Sequence, residues 1–246
     1  MNTLCWQPHP GQASPLADDL HLWKLDTRLC LSHINAFSAA LSPDETARAK
    51  RFKFPRDRDR FIFAHGFKRQ VLAKYAGAPP DALCFVENQY GKPALADSLI
   101  RFNFSHSGDL VLLGVMNQVD VGVDVERTNK AVDYLQLAER FFHPNEAKKI
   151  NHCNGDARRQ AFYKTWTSKE AYIKAVGKGL SLPLDSFEVE ALPDQPAAIL
   201  DSHDTKNRRS IHALNIGKDY AAAVVMDKAA SVILMFNECN HLNIRC

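Results

Sequence analysis

Apolar residues recur with a period of two in several short stretches and with a helical period in a few longer ones. The clearest strand pattern is Val119 to Glu126, where four valines alternate with Asp120, Gly122, Asp124 and Glu126. Further strand patterns fall at 20–25, 83–87, 100–104, 110–116, 186–191, 209–215 and 219–226, with a last apolar run at 231–236. Ser42-Pro43-Asp44-Glu45 predicts a helix start: a capping serine, a proline at the first helical position and a glutamate that completes a capping box. Other helices are expected over 59–75, ending at Gly77, near 131–141 and 144–152, and from about 157 to 176, ended by Gly177 and Gly179. Tyr90 to Pro93 reads as a turn and Ser105 to Asp109 as a hairpin loop. Residues 1–19 read as an irregular lead-in. Strands often follow one another directly, so the expected class is α+β with antiparallel sheets rather than a doubly wound parallel sheet. Asn117-Gln118 interrupts two apolar strands, which divides the chain into expected halves of 1–118 and 119–246.

Composition narrows this picture only a little. With 246 residues, the chain can hold one large core or two small ones. A net charge of +3 does not indicate a whole-protein polyanion binder, so nucleic acid is not an expected partner. No apolar run approaches the roughly 20 residues of a membrane span. Met1 to Pro10 lacks the basic and apolar regions of a signal peptide, and a cytoplasmic location is expected. The six cysteines, at 5, 30, 84, 153, 239 and 246, have no zinc-ligand spacing and are expected to be reduced thiols.

Three features carry candidate chemistry. In the 119–126 strand the valines face one way and the polar residues the other. Asp124 and Glu126 then stand about 6.5–7 Å apart on one face, where they can converge on a hard cation such as magnesium or simply meet solvent. Gly122 removes a side chain beside them, which would admit a ligand. In the 157–176 helix, Phe162, Trp166, Ile173 and Val176 form an apolar stripe with Glu170 and Lys174 one turn apart on its shoulder. That pair is either a site component or a surface ion pair. Lys169 falls inside the apolar arc and must either snorkel or meet an anion. Lys92, in its Gly-Lys-Pro turn, and His106 are phosphate-type groups, although His106 can equally be a structural loop residue. The run Arg48, Lys50, Arg51, Lys53, Arg56, Arg58 and Arg60 is a solvated helix face, a phosphate contact or an RNA-binding patch.

Taken together, Phe102-Asn103-Phe104-Ser105-His106-Ser107-Gly108, Val121-Gly122-Val123-Asp124-Val125-Glu126 and Trp166-Thr167-Ser168-Lys169-Glu170-Ala171-Tyr172-Ile173-Lys174 resemble the signature blocks of the 4′-phosphopantetheinyl transferases. Tyr90-Gly91-Lys92-Pro93 and Gly177-Lys178-Gly179-Leu180, with the Ser-Leu-Pro-Leu-Asp-Ser-Phe that follows, are similar to the surfactin-synthetase-type branch. The resemblance runs from about Ser42 to Val189. It implies two similar α+β halves related by a pseudo-twofold axis, and transfer of phosphopantetheine from coenzyme A to a serine of an apo acyl or peptidyl carrier protein. It further implies a magnesium ion on Asp124, Glu126 and Glu170. Arg48, Gly91, Lys92, Pro93, Ser105, His106, Lys169 and Lys174 are the implied coenzyme A contacts, with Glu170 and Lys174 catalytic. Glu45 stands where the family has a lysine. A monomer is implied, because one chain of this branch builds the whole site.

On this reading Glu170 takes the serine proton as general base and Lys174 stabilises the leaving pyrophosphate oxygen. Fatty-acid, polyketide and nonribosomal-peptide carriers are all open as acceptors. Phe141, Phe142 and Ile150, in the run from Tyr134, are either apolar contacts for the carrier or core residues. Two other classes use the same features: a magnesium-dependent phosphohydrolase or nuclease with water as nucleophile, and a binding module for carriers or nucleic acid without chemistry.

Overall fold

The computed structural model describes residues 6–8, 18–128, 132–201, 209–227 and 233–237. In chain order the regular elements are β1 (Trp6–Pro8), β2 (Leu20–Asp26), α1 (Ile34–Ala39), α2 (Pro43–Ala49), α3 (Pro55–Ala76), β3 (Phe85–Glu87), β4 (Pro93–Leu95), β5 (Ile100–Ser107), β6 (Leu110–Asn117), β7 (Val121–Arg127), α4 (Tyr134–Phe141), α5 (Pro144–His152), α6 (Gly155–Val176), β8 (Glu188–Glu190), β9 (Ala198–Asp201), β10 (Ser210–Leu214), β11 (Tyr220–Met226) and β12 (Ile233–Asn237). The class is α+β. Two compact units share the chain, and one border between them falls at Gln118 and Val119. The units depart from the expected halves 1–118 and 119–246 in two places: residues 87–92 belong to the second unit and β12 to the first.

The first unit is a five-stranded sheet in the order β1-β12-β2-β6-β5. Its β2, β6 and β5 are antiparallel, as expected, but β12 lies parallel to β2 and β1 parallel to β12. That pairing carries β12 back into the first unit. The period-two faces of β2 and β6 place Trp23, Leu25, Val111, Leu113 and Val115 in one core with Phe63, Phe67 and Val71 of α3. α3 begins earlier than the pattern predicts because Pro55, with its fixed φ, occupies the first helical turn. It stops at Gly77, whose φ of 64° is the left-handed C-cap conformation. Cys84 and Cys153 are free thiols, as expected, whereas the buried Cys30 is disulfide-bonded. No helix among the described residues is long and apolar enough to cross a membrane.

The capping box forms as read: Glu45 N–H donates to Ser42 Oγ and Ser42 N–H donates to Glu45 Oε2, both at 3.2 Å. Glu45 also receives Lys68 Nζ at 3.1 Å and Arg69 Nε from α3, and His65 Nδ1 lies 3.0 Å away. One carboxylate thereby ties α2 to α3. Burial pushes it up, but His65, Lys68 and Arg69 outweigh burial and hold it well below the ordinary carboxylate range. The folded protein therefore binds fewer protons here than the unfolded chain, and the contribution, complete at neutral pH, is lost as pH falls through that range. Burial lowers His65, against the opposing pull of Glu45, which adds to acid lability in the same direction. In urea titrations from pH 7 to 4, Glu45→Gln is expected to be less stable than wild type at pH 7 and to show a shallower decline toward pH 4. Parallel curves would contradict this.

The second unit has a three-stranded antiparallel sheet, β10-β11-β7. Val121, Val123 and Val125 are fully buried on one face of β7, as the alternation requires. Over the other face runs α6, whose Ala171, Tyr172, Ile173 and Ala175 form a core with Ala223 and Val225 of β11. Gly122 permits this packing. A Cβ there would stand 2.1 Å from the carbonyl oxygen of Ala171 and 2.4 Å from the amide nitrogen of Ala175. The glycine thus admits a helix backbone, not the ligand expected from the sequence. Because the clashing atoms are backbone, Gly122→Ala is expected to cost about 1–3 kcal/mol, measured from the urea midpoint. A variant as stable as wild type would show that α6 yields without strain.

Candidate active site

β7 and α6 between them position four of the expected site residues. Asp124 lies two residues along β7 from Gly122, on the face under α6, and is 3% exposed. Glu126 follows on the same face. Their cross-strand partners in β11 are Ala223 and Ala221. Lys174 of α6 donates to Asp124 Oδ1 at 2.6 Å. Glu170 lies one turn earlier on the helix. Its carboxyl is pushed up by burial and by the negative charges of Asp124 and Glu126, with Lys174 pulling in the opposite direction. Three carboxylates thus feel one another around one ammonium group. Beside Glu126 opens a hollow of about 130 Å³ lined by Val132, Leu137, Phe162, Tyr163 and Trp166. A larger cleft of about 570 Å³, between the start of α6 and the Leu214–Tyr220 turn, contains none of these carboxylates, so size does not mark the chemical site.

Lys92 lies at the end of α6. The turn before it is organised by Asn88, whose Oδ1 accepts from the amides of Tyr90 and Lys92 at 2.9 Å, with Gly91 at φ 82°. Lys92 Nζ donates to the Ala175 carbonyl at 3.0 Å and to Asp120 Oδ1 at 3.1 Å, and Asn88 Nδ2 donates to the Gly177 carbonyl at 2.9 Å. The final carbonyls of a helix lack intrahelical partners, and this turn supplies them. That is why residues 87–92 belong to the second unit. Pro93 then opens β4.

Lys169 sits differently from the sequence expectation. It is fully buried, and its Nζ meets three acceptors: the Leu184 carbonyl at 2.7 Å, the Phe187 carbonyl at 2.5 Å and Glu146 Oε2 at 2.9 Å. An ammonium has three protons, so none remains for a coenzyme A phosphate. The expected coenzyme A contact at Lys169 is therefore replaced by a structural ion pair. Its partner Glu146 is 2% exposed and also accepts from the amides of His143 and Val189 at 2.9 and 2.7 Å. Sequence reading passed over Glu146. The available signal was its place three residues after His143 and two after Pro144, the N3 position of a capping box. Phe142 and Ile150 are core residues, and Phe141 packs edge-on to Trp166 at 6.4 Å, so this run is not an open apolar rim.

The remaining expected contacts lie in the first unit. Ser105 and His106 are not in a loop: β5 pairs with β6 as far as Ser107 opposite Leu110, and Gly108-Asp109 alone makes the turn, with Gly108 at φ 60°. Strand alternation then buries Ser105 and exposes His106. Arg48 is exposed at the end of α2, its guanidinium 5.3 Å from the Phe61 ring centre.

Residues 120–225 match the family model of the 4′-phosphopantetheinyl transferase superfamily, and residues 30–118 match the 4′-phosphopantetheinyl transferase N-terminal model. The chain is 36% identical to the 4′-phosphopantetheinyl transferase HetI of Nostoc sp. over 79% of its own length and 83% of that protein. It is 34% identical to the 4′-phosphopantetheinyl transferase Sfp of Bacillus subtilis over 73% of its own length and 80% of that one. A crystallised holo-(acyl-carrier-protein) synthase from Bacillus anthracis in complex with CoA shares 23% identity over 44% of this chain and 95% of that one, at a TM-score of 0.38. This chain belongs to the 4′-phosphopantetheinyl transferase family. Its relatives at this identity include Sfp, which agrees with the surfactin-synthetase-type motifs.

Proposed function

We propose that the protein transfers 4′-phosphopantetheine from coenzyme A to a serine of an apo acyl or peptidyl carrier protein and releases adenosine 3′,5′-bisphosphate. The observation that carries this reading is the group formed by Asp124, Glu126, Glu170 and Lys174, inside a chain that belongs to the transferase family. The donor set suits magnesium: three carboxylates offer oxygen ligands, and burial together with the charges of Asp124 and Glu126 raises Glu170, a cost that a cation would relieve, while Lys174 holds Asp124 Oδ1 at 2.6 Å. Among the described residues, no three acidic or imidazole groups are already drawn together as a metal shell. Asp124, Glu126 and Glu170 would hold the ion, which when bound neutralises pyrophosphate charge during transfer.

The protein's own groups divide the remaining work. Glu170 accepts the proton of the carrier serine as its oxygen attacks the pantetheine-side phosphorus. Half-burial and neighbouring negative charge make its carboxylate a stronger base than an exposed one. Lys174 stabilises charge on the departing bisphosphate. Arg48, Ser105, His106 and the Gly91-Lys92-Pro93 turn bind coenzyme A away from the reacting atoms, which fixes its position. Both family segments lie in one chain, which supports a monomer. The narrower activity of a holo-[acyl-carrier-protein] synthase and a cytoplasmic location belong to the same proposal.

Release of adenosine 3′,5′-bisphosphate from coenzyme A tests the reading against a phosphohydrolase. It is expected only when apo carrier protein is present. Release with water alone would assign hydrolysis instead. Asp124→Ala is expected to lower carrier-dependent release at least about 100-fold with the fold retained, and near-normal release would remove Asp124 from the site.

A further inference from the structure

The basic run read from the sequence is not consumed by the site above. Residues 50–58 are all exposed and form the link from α2 into α3. Within them Lys50, Arg51, Lys53, Arg56 and Arg58 give five positive charges against Asp57 alone, a net +4. The whole chain carries +3, so everything outside this segment sums to −1. The excess of positive over negative charge is therefore carried by these nine residues. Arg58 pairs with Asp59. Lys50, Arg51 and Arg56 have no side-chain partner among the described residues.

Two aromatic side chains stand in the middle of this charge: Phe52 is 37% exposed and Phe54 is 59% exposed. The Phe52 ring packs 5.4 Å from Phe61, and Lys53 Nζ lies 5.5 Å from the Phe54 ring centre. The backbone is fixed from both sides: the amides of Arg51 and Phe52 donate to the carbonyls of Arg48 and Ala49 at 3.0 and 3.3 Å, and those of Asp57 and Arg58 donate to the Phe54 carbonyl at 3.1 Å. A pair of exposed rings on this hydrogen-bonded backbone, inside a cationic frame, is a preorganised contact surface. Aromatic anchors supply most of the binding energy of such surfaces, and charge sets partner choice and encounter rate.

We propose that residues 50–58 dock an acidic protein surface bearing an apolar residue, and that this partner is the apo carrier protein. The identity of the partner rests on the transferase reading, under which a protein must come to this enzyme as substrate. The confinement of the unbalanced positive charge to one short segment favours a compact acidic protein over nucleic acid, whose phosphates call for an extended basic track.

The test is direct binding of an apo carrier whose acceptor serine is replaced by alanine, so that no turnover is required, by fluorescence anisotropy at two salt concentrations. Phe54→Ala is expected to weaken binding about thirtyfold, the loss typical of a truncated hot-spot aromatic. Lys53→Glu with Arg56→Glu is expected to weaken it similarly and to flatten its salt dependence. All these side chains are exposed, and unchanged thermal unfolding verifies the variants. In turnover assays with unmodified carrier, the KM for carrier is expected to rise while the KM for coenzyme A stays constant. Wild-type affinity in both variants, or no carrier binding by the wild type, would overturn the proposal. So would variants that lose affinity for a labelled RNA oligomer but keep that for the carrier. Carrier binding that depends on this segment without any transfer would instead sink the transferase reading and leave the surface standing.

Discussion

Glu170→Gln is expected to reduce phosphopantetheine transfer by about 10²- to 10⁴-fold, the usual weight of a general base, without loss of stability. The substitution keeps size and hydrogen-bonding capacity while removing one charge from a crowded set. Burial, Asp124 and Glu126 all raise the Glu170 carboxyl, so ionised Glu170 is unfavourable in the metal-free fold. A neutral glutamine relieves that repulsion, and the unfolding midpoint is expected to stay constant or rise. Magnesium is expected to raise the midpoint of the wild type through binding to the folded state alone, and to do so less for the variant. Inactivity together with a lower midpoint would instead mean that Glu170 supports the fold. A fully active variant would remove it from the chemistry.

The second large effect is on stability and concerns Lys169, the helix neighbour of Glu170, through its partner Glu146 on α5. Glu146→Ala leaves the Lys169 ammonium fully buried with two carbonyl partners and no counter-charge, and strands the amides of His143 and Val189. Removing one member of a buried ion pair costs about 3–5 kcal/mol, expected here as a large fall in the urea midpoint. Lys169→Met should cost a similar amount, because it leaves Glu146 buried without its counter-charge. Combined with Glu146→Gln, it should recover part of the loss, since no buried charge then remains. Additive losses in the double variant would show that the two residues act independently. The pair joins α5, α6 and the segment entering β8, so it also holds the helix that carries Glu170.

These two residues illustrate what could be read in advance. A lysine inside the apolar arc of α6 had either to snorkel or to meet an anion, and nothing local indicates the second or that the anion is Glu146, since their meeting depends on how α5 folds against α6. The alternation from Val119 to Glu126 placed Asp124 and Glu126 on one face because strand periodicity is a local property. The same pattern could not tell that a helix covers that face, and so Gly122 was assigned to a ligand rather than to the backbone of α6. The hairpin loop was drawn too long for a related reason. Ser105 and His106 are polar, yet the ladder with β6 continues through them until Gly108 supplies the positive φ that the turn requires. Lys92 was legible as a turn residue, whereas its role in closing the end of α6 depends on a contact across the fold. Ser42 and Glu45 were legible in full because a capping box is contained in four residues, while the three basic partners of Glu45 on α3 were not.

The most direct measurement is the intact mass of an apo carrier protein after incubation with this protein, coenzyme A and magnesium, alongside reactions with Glu170→Gln and with a chelator. A gain of one phosphopantetheine group on the acceptor serine, present with the wild type and lost in both controls, is the predicted result. An unchanged mass with acyl and peptidyl carriers alike, from protein that binds coenzyme A and carrier, would contradict the account.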